Sequence, residues 1–180
     1  DPVAVALQQA ADRGRGQPAE LGSALDILDV GCAQGTLALL LAERGHRVCA
    51  MDIRAPFLAY AASRHERGEV RWVCGNAMET EPDGTFDLVF ATQILEHLVV
   101  PVEFVRRLSG WLRPGGRLVA TTPNGEYAKN PFPSFSELGD PARHAHRQFT
   151  ADADGHFFAY LPGELREVFA AAGLERVRVS

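Results

Sequence analysis

The stretch ILDVGCAQGTLALLLAERGHRVCAMDIR, residues 27–54, decides the fold of this chain. It opens with a short apolar run that ends at a glycine, which is typical of a buried strand. A run of good helix formers follows and ends at Gly45, and a second apolar run then ends at Asp52. A strand, a helix and a second strand in this order predict a βαβ unit with parallel strands.

The same alternation continues to the end of the chain. The Pro114-Gly115-Gly116 triplet predicts a turn between the third helix and the fifth strand. Strands are predicted over 25–30, 47–51, 70–74, 86–91, 117–122 and 174–179, and helices over 36–44, 56–67, 101–112 and 162–172. This order predicts an α/β fold, a doubly wound and mainly parallel sheet with helices on both faces, forming a three-layer sandwich.

The length of 180 residues fits one domain of ordinary size. We assign residues 1–24 to an N-terminal helical segment, with a helix over 3–11, and residues 25–180 to the domain itself. Residues 123–161 separate the fifth strand from the last helix, whereas connections usually have roughly 4–6 residues. We therefore expect this insertion to be a lid or a substrate-binding segment.

The composition is that of an ordinary globular protein, with 46% apolar and 23% charged residues. A net charge of −5 argues against nucleic-acid binding through a broad basic face. No apolar run approaches the roughly 18 residues of a membrane span and no signal peptide is visible, so we expect a cytoplasmic protein. Cys32, Cys49 and Cys74 are far apart and lie in or beside apolar runs, which predicts buried free thiols.

The loop after the first strand has the features of a ligand site. Gly31 permits a tight turn, while Ala33 and Gly35 are small enough for a ligand to approach the backbone. The helix that follows leaves free N–H groups, which suit a carboxylate or a phosphate. Asp52 ends the next strand, where its carboxylate can accept hydrogen bonds from both hydroxyls of an adenosine ribose.

Two other interpretations of this loop stay open at the level of sequence. The first is an ordinary strand-to-helix turn with incidental glycines. The second is a nicotinamide or flavin dinucleotide site, which wants G-x-G-x-x-G, but the corresponding positions are Gly31, Ala33 and Thr36. The loop and Asp52 together favour an adenosine ligand that has no pyrophosphate.

Four segments resemble the class I S-adenosylmethionine-dependent methyltransferases, and within them the small-molecule group that includes the ubiquinone-pathway O-methyltransferases. They are ILDVGCAQGTLALLLAERGHRVCAMDIR, VCGNAMETEPDGTFDLVFATQILEHL, LRPGGRLVATTPN and HFFAYLPGELREVFAAAGLE. The resemblance implies a Rossmann-like sheet and a methyltransferase that uses S-adenosyl-L-methionine and releases S-adenosyl-L-homocysteine. It also implies a seventh, antiparallel strand, which we expect to be absent here. Either the C-terminus is missing, or another segment or the partner in a homodimer covers that sheet edge.

The resemblance also assigns roles around the cofactor. The glycine loop would line the methionine portion, Asp52 would hold the ribose and Ile53 would pack on the adenine. Asn76 replaces the family's more usual Asp and would pair with the adenine amino group through its amide oxygen. Residues 92–94 would border the methyl group, and loop packing alone is the alternative for each position. The implied cofactor-binding set is Asp29, Gly31, Cys32, Ala33, Gly35, Asp52, Ile53, Asn76, Ala77, Met78, Thr92, Gln93 and Ile94.

Glu96 and His97 follow the fourth strand, on the side where the methyl acceptor is expected. Histidine titrates near neutral pH, so His97 is the candidate catalytic base, and the alternative is that the pair caps and orients the next helix. Small-RNA 3′-end methyltransferases carry Glu-x-x-Glu-His here and bind a divalent ion. Because Gln93 replaces the first acid, we expect no metal. The downstream histidines that could complete such a site are His144, His146 and His156.

The sequence therefore predicts methyl transfer to a small-molecule acceptor, at a hydroxyl oxygen. The alternatives are methylation of nucleic acid or protein, and a non-catalytic partner subunit that binds an adenosine ligand. Aromatic residues in the 123–161 insertion would cover a partly apolar acceptor, or would only dock the insertion on the domain. They are Phe132, Phe135, Phe149, Phe157, Phe158 and Tyr160.

Overall fold

The computed structural model describes residues 24–150 and 155–179. The helix predicted over residues 3–11 lies outside the described residues. The chain divides into two compact units. The described part of the first unit is residues 24–92 and 111–119, and that of the second is residues 93–110, 120–150 and 155–179.

The sheet confirms the predicted α/β class. Its strands are β1 (Asp26–Val30), β2 (Arg47–Asp52), β3 (Glu69–Cys74), β4 (Phe86–Thr92) and β5 (Leu112–Thr121), in the order β3-β2-β1-β4-β5. β1 pairs with β2 and with β4 in parallel, and β2 pairs with β3 in parallel. The strand order reverses between β1 and β4, and in doubly wound sheets ligands bind beyond the carboxyl ends of the strands at this point.

Two helices of the first unit cross between neighbouring strands. α1 (Thr36–Glu43) joins β1 to β2, and α2 (Ala55–Ser63) joins β2 to β3. Both connections step across the sheet in the same direction, so right-handed crossovers place both helices on the same face. Apolar side chains of the strands and helices form the core of this unit, which includes Leu25, Ile27, Cys32, Ala38, Leu41, Ala42, Val48, Ala50, Leu58, Leu88 and Phe90.

The second unit contains α3 (Pro101–Gly110) and α4 (Pro162–Ala171), which contact each other. Each begins with proline, whose missing N–H costs little in the first turn of a helix. Three short 3₁₀ helices accompany them, at Leu95–His97, Phe135–Glu137 and Pro141–Arg147. None of the helices in the described part of the chain has the length and apolar character that crossing a membrane requires.

The long insertion has structure of its own. Isolated β-bridges join Asn124 to Tyr160 and Ser134 to Ala159, so its two ends run side by side. Phe158 and Tyr160 are fully buried, with ring centroids 4.9 Å apart, and Phe135 packs against both rings. For these aromatic residues the structure supports the docking interpretation.

Several predicted boundaries were wrong for identifiable reasons. Residues 174–179 form no strand, because Arg176 has a φ of 59° and this left-handed backbone interrupts an extended run. β5 begins at Leu112 and runs through residues 114–116, where an edge strand tolerates proline. The helix predicted over residues 56–67 ends at Ser63. Cys74 is exposed rather than buried, because it ends the edge strand β3.

Candidate functional site

The loop between β1 and α1 holds an unusual backbone conformation. Gly31, Ala33 and Gly35 all have positive φ, at 66°, 47° and 73°. This region is costly for any residue with a Cβ, and such strain clusters at functional sites. The loop is tied to the next strand by a hydrogen bond from Cys32 N to Met51 O, at 3.0 Å. The predicted glycine loop is therefore a fixed structure at the carboxyl end of β1.

Asp52 connects three loops at the carboxyl ends of the strands. Its Oδ2 accepts a hydrogen bond from Ala33 N and its Oδ1 accepts one from Arg54 N, both at 2.8 Å. Its backbone oxygen accepts a hydrogen bond from Gly75 N at 3.0 Å. The side chain is buried. Oδ1 also accepts a long hydrogen bond from Arg54 Nε at 3.5 Å. Each carboxylate oxygen has two lone pairs, so Oδ2 can accept one further hydrogen bond from a ligand hydroxyl, and Oδ1 can do so in place of Arg54 Nε.

Asp29 is a second buried carboxyl in this unit. It is 1% exposed, and neither of its oxygens has a hydrogen-bond partner of ordinary length among the described residues. Burial, together with the charge of Asp52, raises the pKa of Asp29 to about 7, and the Ala38 N–H only partly opposes this. A carboxyl in such a position favours a positively charged neighbour, which would stabilise its ionised form.

Substituting Asp29 by asparagine is expected to change how stability depends on pH. The folded-state pKa is raised above the ordinary value of 3.8, so well below pH 3.8 the carboxyl is protonated in both states and costs nothing. As the pH rises towards 7 the unfolded chain ionises first, and the wild type loses stability. We expect the free energy of unfolding of the variant, relative to that of the wild type, to increase by at least about 1 kcal/mol between pH 4 and pH 7.5. Urea unfolding without cofactor measures this, and a gap that does not change with pH would contradict the buried, protonated carboxyl.

The turn after β3 holds the residues predicted to flank an adenine. Asn76 Oδ1 accepts a hydrogen bond from Met78 N at 2.9 Å, and Asn76 O accepts from Glu79 N and Thr80 N. The amide oxygen that was predicted to pair with the adenine amino group therefore already has a backbone donor. Its other lone pair and the amide nitrogen are what remain for a ligand. Ala77 is buried.

The residues predicted around the methyl group divide between the two units. Thr92 ends β4 in the first unit, while Gln93 and Ile94 begin the second. Gln93 has a φ of 55°, and its N–H donates to Thr121 O at 2.8 Å. This is a further strained position at the carboxyl end of a strand.

Glu96 lies in the 3₁₀ helix Leu95–His97 and is completely buried. Its Oε2 accepts a hydrogen bond from Thr122 Oγ1 at 3.0 Å, and its Oε1 has no hydrogen-bond partner among the described residues. Burial raises the pKa of this carboxyl, against smaller effects of its hydrogen bonds and of the neighbouring histidines. The sequence did not single out Thr122, because nothing in it shows that residue 122 approaches residue 96.

Two histidine rings lie beside this carboxyl. His156 Nε2 is 3.9 Å from Glu96 Oε1, and the His97 and His156 rings meet edge to face with centroids 5.0 Å apart. His97 Nδ1 is 2.9 Å from Gly155 O. Because a carbonyl oxygen only accepts, Nδ1 is the donor of this hydrogen bond, and in the neutral ring Nε2 is the acceptor nitrogen. Of the downstream histidines named from the sequence, the structure brings His156 to this cluster.

Comparison with known proteins identifies a family for about half of the chain. Residues 28–120, just over half of the chain, match the family model described as a methyltransferase domain. An uncharacterized methyltransferase of Mycobacterium tuberculosis is 39% identical over 97 residues, which are 53% of this chain and 49% of that protein. A ubiquinone biosynthesis O-methyltransferase of a Bradyrhizobium species is 33% identical over 104 residues, 57% of this chain and 41% of that protein.

The fold also matches solved structures. A putative methyltransferase from Bacillus halodurans aligns with a TM-score of 0.64 over 98% of this chain and 70% of that chain, at 22% sequence identity. At that identity the match shows a shared fold. The chain spans about half the length of the curated methyltransferases that it matches first.

Proposed function

Since the chain belongs to the methyltransferase domain family, we propose that it transfers a methyl group from S-adenosylmethionine to a hydroxyl oxygen of a small-molecule acceptor. The observation that carries the proposal is the pair of buried carboxyls around a strained glycine loop, Asp29 at the end of β1 and Asp52 at the end of β2. A ribose needs hydrogen-bond acceptors, and the cationic methionine portion of the cofactor favours a carboxylate without a partner. The two carboxyls supply these two properties.

The cofactor would lie with its ends on different loops of the first unit. We propose that residues 31–35 hold the methionine portion, close to the backbone, and that Asp29 balances its positive charge. Asp52 would hold the ribose hydroxyls, and Ile53 with residues 76–78 would flank the adenine. Residues 92–94 would border the methyl group. These positions include every cofactor-binding residue that the sequence predicts.

Methyl transfer from a sulfonium is an in-line displacement, so the protein mainly has to position the acceptor and remove its proton. We propose that His97 is the base that takes the proton from the acceptor hydroxyl. Its Nδ1 donates to the Gly155 carbonyl, so Nε2 is the acceptor nitrogen of the neutral ring. The similarity to ubiquinone biosynthesis O-methyltransferases supports oxygen as the methylated atom. We also keep the proposal that residues 123–161 enclose the acceptor.

Calorimetry with the purified chain tests the cofactor assignment. S-adenosylhomocysteine is expected to bind with one site per chain, and NAD is expected not to bind, because the loop lacks two of the three dinucleotide glycines. Binding of NAD without binding of S-adenosylhomocysteine would overturn the proposal. A panel of phenols, alcohols and amines, incubated with labelled S-adenosylmethionine, then identifies the acceptor class.

Replacing His97 by alanine is expected to lower the rate of methyl transfer to a hydroxyl acceptor by about 10²–10⁴-fold, the usual contribution of a positioned base. S-adenosylhomocysteine affinity should stay unchanged, because this residue is not among the proposed cofactor contacts. Glu103, an exposed residue of α3 in the same unit and outside residues 123–161, provides the control as Glu103→Ala. Equal activity of the two variants would remove His97 from the chemistry.

A further inference from the structure

We propose that Glu96, His97 and His156 form a binding site for a divalent transition-metal ion. This goes beyond the proposed function, because a metal can bind whether or not methyl transfer occurs, and it reverses our expectation from the sequence. That expectation rested on Gln93 in place of an acid, whereas the structure supplies a third ligand from a distant part of the chain. One carboxylate oxygen and one nitrogen from each ring lie within 4.8 Å of one another.

The spacing of these atoms is closer to that of a metal site than to that of a hydrogen bond. His156 Nε2 and Glu96 Oε1 are 3.9 Å apart, too far for a hydrogen bond. Two ligands that each lie about 2.0–2.2 Å from one ion are separated by at most about 4.4 Å. The three side chains therefore need only small rotations to close around an ion.

The buried carboxyl of Glu96 favours a bound cation. Its side chain is completely buried, and Oε1 has no hydrogen-bond partner among the described residues. Leaving a buried carboxylate oxygen unpaired is costly, and an ion bound at Oε1 would satisfy it. The two histidine rings are half-buried, so solvent has access to the cluster from their side.

The surroundings also hold two of the ligands in the orientation that a metal requires. His97 Nδ1 donates to Gly155 O, as ligating histidines commonly do with their second nitrogen, and this leaves Nε2 for the ion. Glu96 Oε2 is held by Thr122 Oγ1, which leaves Oε1. Such outer hydrogen bonds fix ring orientation and carboxylate rotation before the ion arrives.

The donor set indicates the class of ion. Two imidazole nitrogens and one carboxylate oxygen suit Zn²⁺, Co²⁺, Mn²⁺ or Fe²⁺, whereas Mg²⁺ and Ca²⁺ prefer all-oxygen sites. Three ligands from the described part of the chain would leave a position open for water or for an acceptor hydroxyl. With an ion present, His97 would act as a ligand of the ion and not directly as the base. The ion would then lower the pKa of an acceptor hydroxyl bound to it.

Titration of the untagged, chelator-treated chain with Zn²⁺ and with Co²⁺ tests the site. We expect one ion per chain, with a visible Co²⁺ spectrum of a nitrogen- and oxygen-ligated ion. His156→Ala and Glu96→Gln are expected to weaken Zn²⁺ binding at least about tenfold, the lower limit seen even for outer-shell partners. His146→Ala, which removes an exposed histidine outside the cluster, should bind Zn²⁺ as the wild type does.

A wild-type chain that takes up no Zn²⁺, or a His156→Ala variant that binds it as tightly as the wild type, would overturn the site. If the buried Glu96→Gln substitution prevents folding, as judged by circular dichroism, His97→Ala and His156→Ala decide the question. S-adenosylhomocysteine binding is measured on the same samples. Loss of that binding with intact Zn²⁺ binding would count against the proposed function alone.

Discussion

The Asp52→Ala variant is expected to bind S-adenosylhomocysteine at least about 100-fold more weakly than the wild type. Hydrogen bonds to a charged group contribute roughly 1.5–3 kcal/mol each. The variant would lose the two hydrogen bonds that the carboxylate accepts from the ribose hydroxyls. A loss of about 3 kcal/mol corresponds to roughly a 100-fold change in the dissociation constant. The glycine loop also loses its anchor, because Ala33 N donates to this side chain. Isothermal titration calorimetry measures the change.

Two further variants separate binding from folding in this experiment. Asp52→Asn keeps the size of the side chain but places an amide donor where Ala33 N or Arg54 N already donates, so it should lie between alanine and the wild type. Glu66→Gln removes an exposed carboxylate of the same unit and should bind normally. Folded Asp52→Ala protein that binds within threefold of the wild type would exclude the ribose role.

The sheet and the proposed cofactor loops could be predicted because they depend on sequence patterns that are local. Apolar runs that end at Gly31 and Asp52 fix two parallel strands, and the short loops after them must meet at the same sheet edge. The structure adds what only contacts show. Asp52 is buried and already accepts a hydrogen bond from the glycine loop. The amide oxygen of Asn76 accepts a hydrogen bond within its own turn. Asp29 has no hydrogen-bond partner of ordinary length among the described residues.

The sequence could not identify which histidine joins Glu96 and His97, because the cluster depends on contacts between residues about 60 positions apart. The sequence offered three downstream histidines, and periodicity does not distinguish between them. The structure selects His156, because Phe157 N donates to Glu96 O and thereby brings residue 156 beside the carboxyl. The strand predicted over residues 174–179 failed for a similar reason, since apolar alternation does not reveal the left-handed Arg176.

Gly35→Ala is expected to destabilise the protein by roughly 2–5 kcal/mol and to weaken cofactor binding. Gly35 has a φ of +73°, which costs a residue with a Cβ roughly 1–2 kcal/mol. The added carbon would also lie 2.7 Å from Ala61 Cβ and 3.2 Å from the Trp72 ring, and overpacking of this kind costs roughly 1–3 kcal/mol more. Because the residue closes the glycine loop, relief of the contact must move the backbone that would hold the cofactor.

Gly45→Ala is the matched control for that substitution. Gly45 has a φ of +87°, but a Cβ built there meets nothing within 4 Å. It should therefore carry the conformational cost alone, roughly 1–2 kcal/mol, and leave S-adenosylhomocysteine affinity unchanged. Urea unfolding and calorimetry of both variants isolate the steric contribution as the difference between them. Equal losses of stability would mean that Ala61 and Trp72 move aside freely. The glycine at position 35 would then be required for its backbone conformation and not for the close packing of α2 and β3 against the loop.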